Sequence, residues 1–234
     1  MDEAGLVDYN GLSKNRDTFD RYLTRIENMG PVSNPELFPT RDDELAFYIN
    51  AYNALVFKGV LDRGPEEDTV WSGLISGFLF FEWMDINIDG QMTSLKLLED
   101  DIIRARYRDP RIHAAINCAS MSCPRLPGVA YTSDLLDVQL ESSMREFANA
   151  ESNVRVHGGK LYLSSIFDWF ADDFVFFERQ TAGRHNGKAG IDNNVSNRQD
   201  LVVDYINRFR TPAGQLDRNL SIEFIEYNKD INKQ

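Results

Sequence analysis

The sequence predicts a single α+β domain: a mostly helical body with short antiparallel strands and hairpins around a central buried helix. Several segments space apolar residues at helical intervals, and residues 41–59 are apolar on nearly every face. Short runs of β-forming residues flank an Asp-Gly pair and a Gly-Gly pair, which favours hairpins. With 42% hydrophobic residues among 234, the chain can bury a substantial core. We expect one domain over residues 1–234, with its core motifs at about 41–177.

The first half is expected to be organised around the helix at 41–59. Asp89 and Gly90 form a two-residue turn, since this pair favours hairpin turns. Thr93 or Ser94 is a suitable cap for the helix that follows. The predicted elements are helices at 17–28, 41–59 and 95–106 and a hairpin of 84–88 with 91–94.

The second half is expected to add helices and a second hairpin. Ser165 opens a helix rich in aromatic residues, on which Asp168, Asp172 and Asp173 also lie. Residues 180–197 lack hydrophobic periodicity, so a long mobile loop or lid is expected there. The remaining predictions are helices at 133–150 and 201–209, a hairpin of 154–156 with 161–163, and a strand at 220–227.

Residues 109–124 concentrate the reactive side chains of the chain, because they contain both cysteines and one of only three histidines. Asp109 before Pro110 is typical of a helix start. A short helix over 111–117 would put His113 and Asn117 on one face. Residues 119–124, which have no hydrophobic periodicity, would fold back over this helix as a loop. His113, Cys118 and Cys123 are therefore expected within one small volume.

One interpretation of this cluster is a cysteine nucleophile with a histidine base. Cys123 is preferred to Cys118 because it lies outside the predicted helix, where a substrate could reach it. His113 would act as base, and Asn117 or Asp168 would orient its ring. This interpretation predicts a thiol-dependent hydrolase or an acyl or peptidyl transferase.

Three other interpretations of the cluster stay open. Cys118 and Cys123 could form a disulfide across four intervening residues. With His113 they could supply three ligands to zinc, although the usual chelate spacing is missing. They could also be two small buried thiols beside a core histidine. No metal site and no cofactor is predicted.

A different class of function is a non-enzymatic binding module for a small thiol-containing or carboxylated ligand or a peptide. Polar side chains within apolar helices must find partners, and a ligand could supply them. For the asparagines the simpler explanation is that they tie loops to the central helix. The candidate ligand-binding residues are Asn50, Tyr52, Asn53, Glu99, Arg104, Cys118 and Ser120.

The charge of the chain limits its partners. Acidic residues outnumber basic ones by 37 to 25, which gives a net charge of −12. This argues against nucleic acid and against anionic membranes as partners. The sequence has no apolar run of spanning length, so membrane insertion is not expected. The expected partner is a small molecule or a peptide.

Several motifs together resemble the DUF547 family, in a form typical of bacterial members. They are residues 7–9, 45–54, 98–99 with 103–104, 109–124, 163–170 with 173–174, and 225–228 with 231–232. The family name declares an unknown function. Similar members often carry an export signal or lipid anchor in bacteria, so the resemblance implies an extracytoplasmic or periplasmic location; otherwise the location would be cytoplasmic. Where relatives commonly show Glu-His, this chain has Glu99-Asp100, which puts any role of that histidine in doubt.

Overall fold

A computed structural model describes residues 2, 5–64, 67–69, 81, 84–185 and 197–234, without the side chains of 183–185. Helices dominate these residues, and short strands form two small sheets, so the predicted α+β class is confirmed. None of the helices described is both long enough and apolar enough to cross a membrane.

The central helix α3 spans Arg41–Arg63, slightly longer than predicted. Thr40 and Asp43 form a capping box at its start, in which each side chain bonds the other residue's backbone amide. Gly64 ends the helix at φ 111°, a conformation that favours glycine. The two preceding helices, α1 (Tyr9–Lys14) and α2 (Asp17–Asn28), pack against α3. The predicted buried central helix is confirmed.

The first hairpin has the predicted form. Strands β1 (Asp85–Ile88) and β2 (Gln91–Ser94) pair antiparallel. Asp89 and Gly90 connect them with φ values of 55° and 71°, as a primed two-residue turn requires. The Ser94 hydroxyl then accepts the amide of Leu97 and caps the next helix, as predicted.

Helix α4 follows, and it differs from the regular α-helix expected at 95–106. It consists of an α-turn at Leu95–Leu97, a π-helix at Leu98–Arg104 and an α-turn at Ala105–Tyr107. Hydrophobic spacing does not resolve a local widening of this kind. π-helical segments are rare and often occur at functional sites.

The second half contains a mixed sheet instead of a purely antiparallel one. Strand β4 pairs antiparallel with β3, as predicted, but parallel with β5. The helices of this half also differ from the prediction in their bounds. The aromatic segment that begins at Ser165 is interrupted at Phe170 and forms two helices. The second helix reaches His185, inside the loop expected at 180–197. Residues 186–196 of that loop lie outside the described residues. The elements are α5 (Leu136–Asn149), β3 (Val154–His157), β4 (Lys160–Ser164), α6 (Ile166–Trp169), α7 (Ala171–His185), α8 (Arg198–Asn207) and β5 (Ser221–Ile225).

Residues 109–124, which contain both cysteines and His113, lie where two hydrophobic clusters meet. Ala115 belongs to the cluster around α3 and Ala114 to the cluster around α6 and α7. The helix expected at 111–117 is instead a short 3-10 helix, Pro110–Ala114, although Asp109 caps it as predicted by accepting the Arg111 amide. The 3-10 helix ends at Ala114, at the point where the chain passes from one hydrophobic cluster to the other. His113 and Asn117 therefore do not share a helical face.

Candidate functional site

A cavity of about 140 Å³ lies at this junction of the two clusters. The 3-10 helix, α3, α4, α6 and the C-terminal segment all contribute side chains to its walls. Most of the wall is apolar, and aromatic rings form much of it. The lining residues are Tyr52, Phe81, Glu99, His113, Ile116, Cys118, Cys123, Pro124, Ile166, Trp169, Phe170 and Tyr227.

The two cysteines form a disulfide at the cavity wall. Their Cα atoms are 6.3 Å apart, within the ordinary range for such a bond. The amide of Cys118 donates to Sγ of Cys123 at 3.0 Å, and the Tyr227 hydroxyl lies 3.1 Å from each sulfur. The free Cys123 thiol expected from the sequence is therefore absent from this oxidised form. A nucleophile at Cys123 requires reduction of the bond.

Asn117 organises the loop between the cysteines. Its Nδ2 donates to the Pro124 carbonyl at 2.8 Å, and its Oδ1 accepts the Ala119 amide at 2.7 Å. Ala119 adopts a left-handed conformation with φ 62°, which is unusual for a residue with a Cβ. The side chain of Asn117 thus holds the loop closed on itself, and its amide atoms bond the loop backbone and not the His113 ring.

The C-terminal segment closes one side of the site. The amide of Met121 donates to the Asp230 carbonyl at 2.8 Å, and that of Ser122 to the Asn228 carbonyl at 3.2 Å. This backbone pairing places the Tyr227 hydroxyl beside the disulfide. No local pattern in the sequence indicates this contact, because Tyr227 is more than a hundred positions from either cysteine.

His113 is held by Asp173, an acid outside the candidate site residues named above. Its ring is 2% exposed, stacks on Phe170 at 4.0 Å between centroids, and places Nε2 2.8 Å from Oδ2 of Asp173. Asn117 is engaged in its loop, and Asp168 is exposed on α6. The expected orienting role of Asn117 or Asp168 is therefore wrong, and Asp173 occupies that position.

The charges around His113 define its tautomer. Burial alone would raise the pKa of Asp173, but hydrogen bonds from His113 and Arg104 outweigh it and lower this pKa to about 2. Burial lowers the pKa of His113, so its ring is neutral at neutral pH. An ionised Asp173 can only accept, so the ring proton lies on Nε2. Nδ1 of His113 is then the nitrogen with a free lone pair.

Glu99 is the titratable carboxyl of the cavity wall. It projects from the π-helix, and its Oε2 accepts the Tyr52 hydroxyl at 3.0 Å. Burial raises the pKa of Glu99 to about 7, against the opposite effect of the Tyr52 hydrogen bond. The cavity therefore contains a carboxyl that gains or loses a proton near neutral pH. Such pKa shifts are common at functional sites.

Asn50 and Asn53 tie loops to the central helix, which is the simpler of the two explanations given for them above. Nδ2 of Asn50 donates to the Tyr131 carbonyl at 2.8 Å, and its Oδ1 accepts the Tyr131 amide at 3.0 Å. Asn53 donates to the Ala115 carbonyl and accepts the Asn117 amide, each at 2.9 Å. Each side chain bonds backbone through both its nitrogen and its oxygen, and neither lines the cavity.

Arg104 and Ser120 also lie outside the cavity wall. The Arg104 guanidinium pairs with Asp100 and, at 2.8 Å, with Asp173. It is committed to these carboxylates and is not available to a carboxylated ligand. Ser120 is 1% exposed, with Oγ 3.6 Å from Sγ of Cys118. Of the expected ligand-binding residues, the structure brings Tyr52, Glu99 and Cys118 to the cavity.

Replacing Asn53 with leucine is expected to destabilise the protein by about 1–3 kcal/mol, because the Ala115 carbonyl and the Asn117 amide would remain buried without partners. Urea unfolding of the oxidised protein measures the change. Asn28→Leu is the control, since Asn28 is exposed and bonds only within its own helix. Equal stability of both variants would contradict a structural role for Asn53.

The residues considered for zinc do not form a metal site. The sulfurs of Cys118 and Cys123 are bonded to each other, and Nε2 of His113 faces Asp173. Across the described ranges, no group of three or more His, Cys, Asp or Glu side chains is arranged to hold a metal ion.

The fold and the site together define an α+β protein with a disulfide in the wall of a small aromatic cavity. Residues 37–148 match the family model described as "Protein of unknown function, DUF547", and this match supports the DUF547 family. The matched residues include both cysteines, Glu99 and His113, whereas Asp173 and Tyr227 lie beyond them. Neither the curated proteins nor the solved structures give a match.

Proposed function

We propose that the cavity is the active site of a thiol-dependent hydrolase or acyl or peptidyl transferase, which becomes active when the disulfide is reduced. One observation carries this proposal: His113, whose Nε2 is bonded to Asp173, lines the same cavity as Cys123. A cysteine, a histidine and an acid that orients the histidine are the parts that nucleophilic thiol catalysis needs.

In the proposed reaction, Nδ1 of His113 takes the proton of the reduced Cys123 thiol. The amide of Cys118 and the hydroxyl of Tyr227 stabilise the resulting thiolate. Sγ then attacks the carbonyl carbon and forms a thioester, and the leaving group takes the proton from the imidazolium. Water or an acceptor amine releases the acyl group and returns the thiol. Asp173 stabilises the charged ring through Nε2.

The cavity walls suggest the kind of acyl group accepted. About 140 Å³ accommodates a small group, and the rings of Trp169 and Phe170 favour an apolar one. Glu99 is the acidic side chain of the described wall, and the neighbouring His113 is neutral. We therefore propose a short apolar acyl group or peptide side chain as the group bound.

The alternative is a binding module without catalysis. It has less support, because Asn50, Asn53 and Arg104 are engaged with the protein itself. A neutral thiol or a peptide remains a suitable ligand for the aromatic walls. If the reduced protein is not acylated by the activated ester in the experiment at the end of this section, this alternative is favoured.

We also infer an oxidising compartment, such as the bacterial periplasm, as the location. The disulfide supports this inference, since such bonds are rare in reducing compartments. The resemblance to exported members of the family agrees with it.

The proposal is tested with p-nitrophenyl butyrate, a short activated acyl ester. After reduction, the protein is expected to release nitrophenolate in a burst and to gain one butyryl group by intact mass. Cys118→Ser should react without reductant, because Cys123 is then permanently free. Cys123→Ser should form no adduct. Equal acylation of Cys123→Ser and the reduced wild type would overturn the proposal.

A further inference from the structure

We propose that the Cys118–Cys123 disulfide undergoes thiol–disulfide exchange, so that the protein acts as an oxidoreductase on small or flexible dithiols. The inference concerns the same cavity but does not require the acyl transfer proposed above. It rests on three features: the position of the disulfide, the hydrogen-bond donors at its sulfurs and the acid beside it.

The disulfide is placed where a thiol can reach it. Cys118 and Cys123 both border the cavity and are only partly buried. A purely structural disulfide within a core would be shielded from attack, and exchange rates depend on this access. The loop between the cysteines contains only four residues, so it closes little chain and contributes modestly to stability.

The sulfurs are surrounded by donors that stabilise a thiolate. The amide of Cys118 and the hydroxyl of Tyr227 both lie within hydrogen-bond distance of Sγ of Cys123. A leaving thiolate that receives such bonds has a lowered pKa and departs faster. Cys123 is therefore the leaving group, and Sγ of Cys118 is the atom attacked.

The same cavity contains a proton source. The Glu99 carboxyl lines the wall and is hydrogen-bonded to the Tyr52 hydroxyl. Because burial raises the pKa of Glu99 to about 7, a large fraction of this group is protonated at neutral pH. It can protonate the Cys123 thiolate after the bond breaks, and it can take the proton back on reoxidation.

The exchange proceeds in two balanced steps. A thiolate of the dithiol attacks Sγ of Cys118, forms a mixed disulfide and breaks the Cys118–Cys123 bond, and the electron pair leaves on Cys123. The second thiol of the substrate then attacks its own sulfur in the mixed disulfide and releases Cys118. The substrate loses two electrons and two protons and becomes a disulfide, and the protein gains two thiols.

The cavity also selects among dithiols by charge. Its described wall contains Glu99, a neutral His113 and aromatic rings, and no lysine or arginine. Glu99 becomes negative above about pH 7 and then repels a carboxylate carried by the dithiol, in addition to the thiolate that every dithiol presents. A neutral dithiol such as dithiothreitol is therefore preferred to a carboxylated one such as dihydrolipoate, and this preference increases with pH.

The experiment measures reduction of the folded, oxidised protein by dithiothreitol, with alkylation by iodoacetamide and intact mass as the readout. The expected second-order rate constant exceeds that of the urea-unfolded chain by about tenfold, the effect of one hydrogen bond to a charged group. Tyr227→Phe should lose most of this acceleration, and Tyr162→Phe, on β4 away from the cavity, should retain it. When the rate constant is expressed per dithiothreitol thiolate, the change with pH that remains near pH 7 should disappear in Glu99→Gln.

Two outcomes would overturn the inference: reduction of the folded protein more slowly than of the unfolded chain, or equal rates for wild type and Tyr227→Phe. Thermal unfolding of Tyr227→Phe shows whether its fold is retained; its ring still packs on Trp169. Cys118→Ser separates the two proposals, since it cannot exchange but keeps the Cys123 nucleophile. Acylation without exchange would leave only the proposed function standing, and exchange without acylation would leave only this inference.

Discussion

Replacement of Asp173 with asparagine is expected to lower the acylation rate of the reduced protein by about 10²- to 10⁴-fold. An asparagine amide can donate to Nε2 of His113, which moves the ring proton to Nδ1 and removes the base. The developing imidazolium also loses its anionic partner. The rate of nitrophenolate release in the first turnover, followed from pH 5 to 9, measures the effect.

Asp172→Asn is the matched control, because Asp172 is the neighbouring residue on α7, is 85% exposed and pairs with Arg198. It should leave the acylation rate unchanged. The thermal unfolding temperature of both variants shows whether the fold is intact. An unchanged rate in folded Asp173→Asn would mean that His113 is not the base.

Glu99→Gln is expected to make the protein more stable at pH 8, by about 2–3 kcal/mol in the free energy of unfolding. In the folded protein the pKa of Glu99 is raised to about 7 by burial, above the ordinary value of 4.5. The folded state therefore holds the proton more tightly than the unfolded chain. This contribution to stability is complete below about pH 4.5 and is lost as the pH rises to about 7. Glutamine keeps an acceptor for Tyr52 and carries no charge.

Urea unfolding of the oxidised proteins at pH 5 and at pH 8 tests this expectation. The wild type should lose stability between the two conditions more steeply than Glu99→Gln. Asp101→Asn is the control, since Asp101 lies on the same helix and is exposed. If Glu99→Gln and the wild type show the same pH dependence, the carboxyl is not held in a desolvated environment.

Local patterns in the sequence predicted most of the fold. Helix α3 was recognised because its apolar residues surround it, and the first hairpin because Asp89 and Gly90 favour its turn. These are short-range effects, determined by neighbours within a few positions. The parallel pairing of β5 with β4 was missed, because a pairing between distant strands depends on the whole chain connection.

The site was predicted only in part for the same reason. Chemical type and proximity in sequence placed Cys118, Cys123 and His113 together, and all three line the cavity. The acid beside His113 was assigned to the wrong residue because the choice between Asp168 and Asp173 depends on where the aromatic segment breaks into two helices. Both helices pack into the same hydrophobic cluster, and hydrophobic periodicity does not record where the segment between them breaks.

The π-helical segment of α4 has a consequence for how length variation in this chain should be interpreted. Glu99 and Arg104 are five positions apart, and on an α-helix of 3.6 residues a turn they would diverge by about 140°. The wider π turn directs one to the cavity wall and the other to the Asp173 carboxylate beside it. Deleting a single exposed residue between them would restore an ordinary helix and leave the two four positions apart, about 40° around its axis, so both would keep their directions. In an alignment, therefore, a one-residue gap in this helix is compatible with the site, whereas a regular α-helix of unchanged length would turn Glu99 or Arg104 away from it.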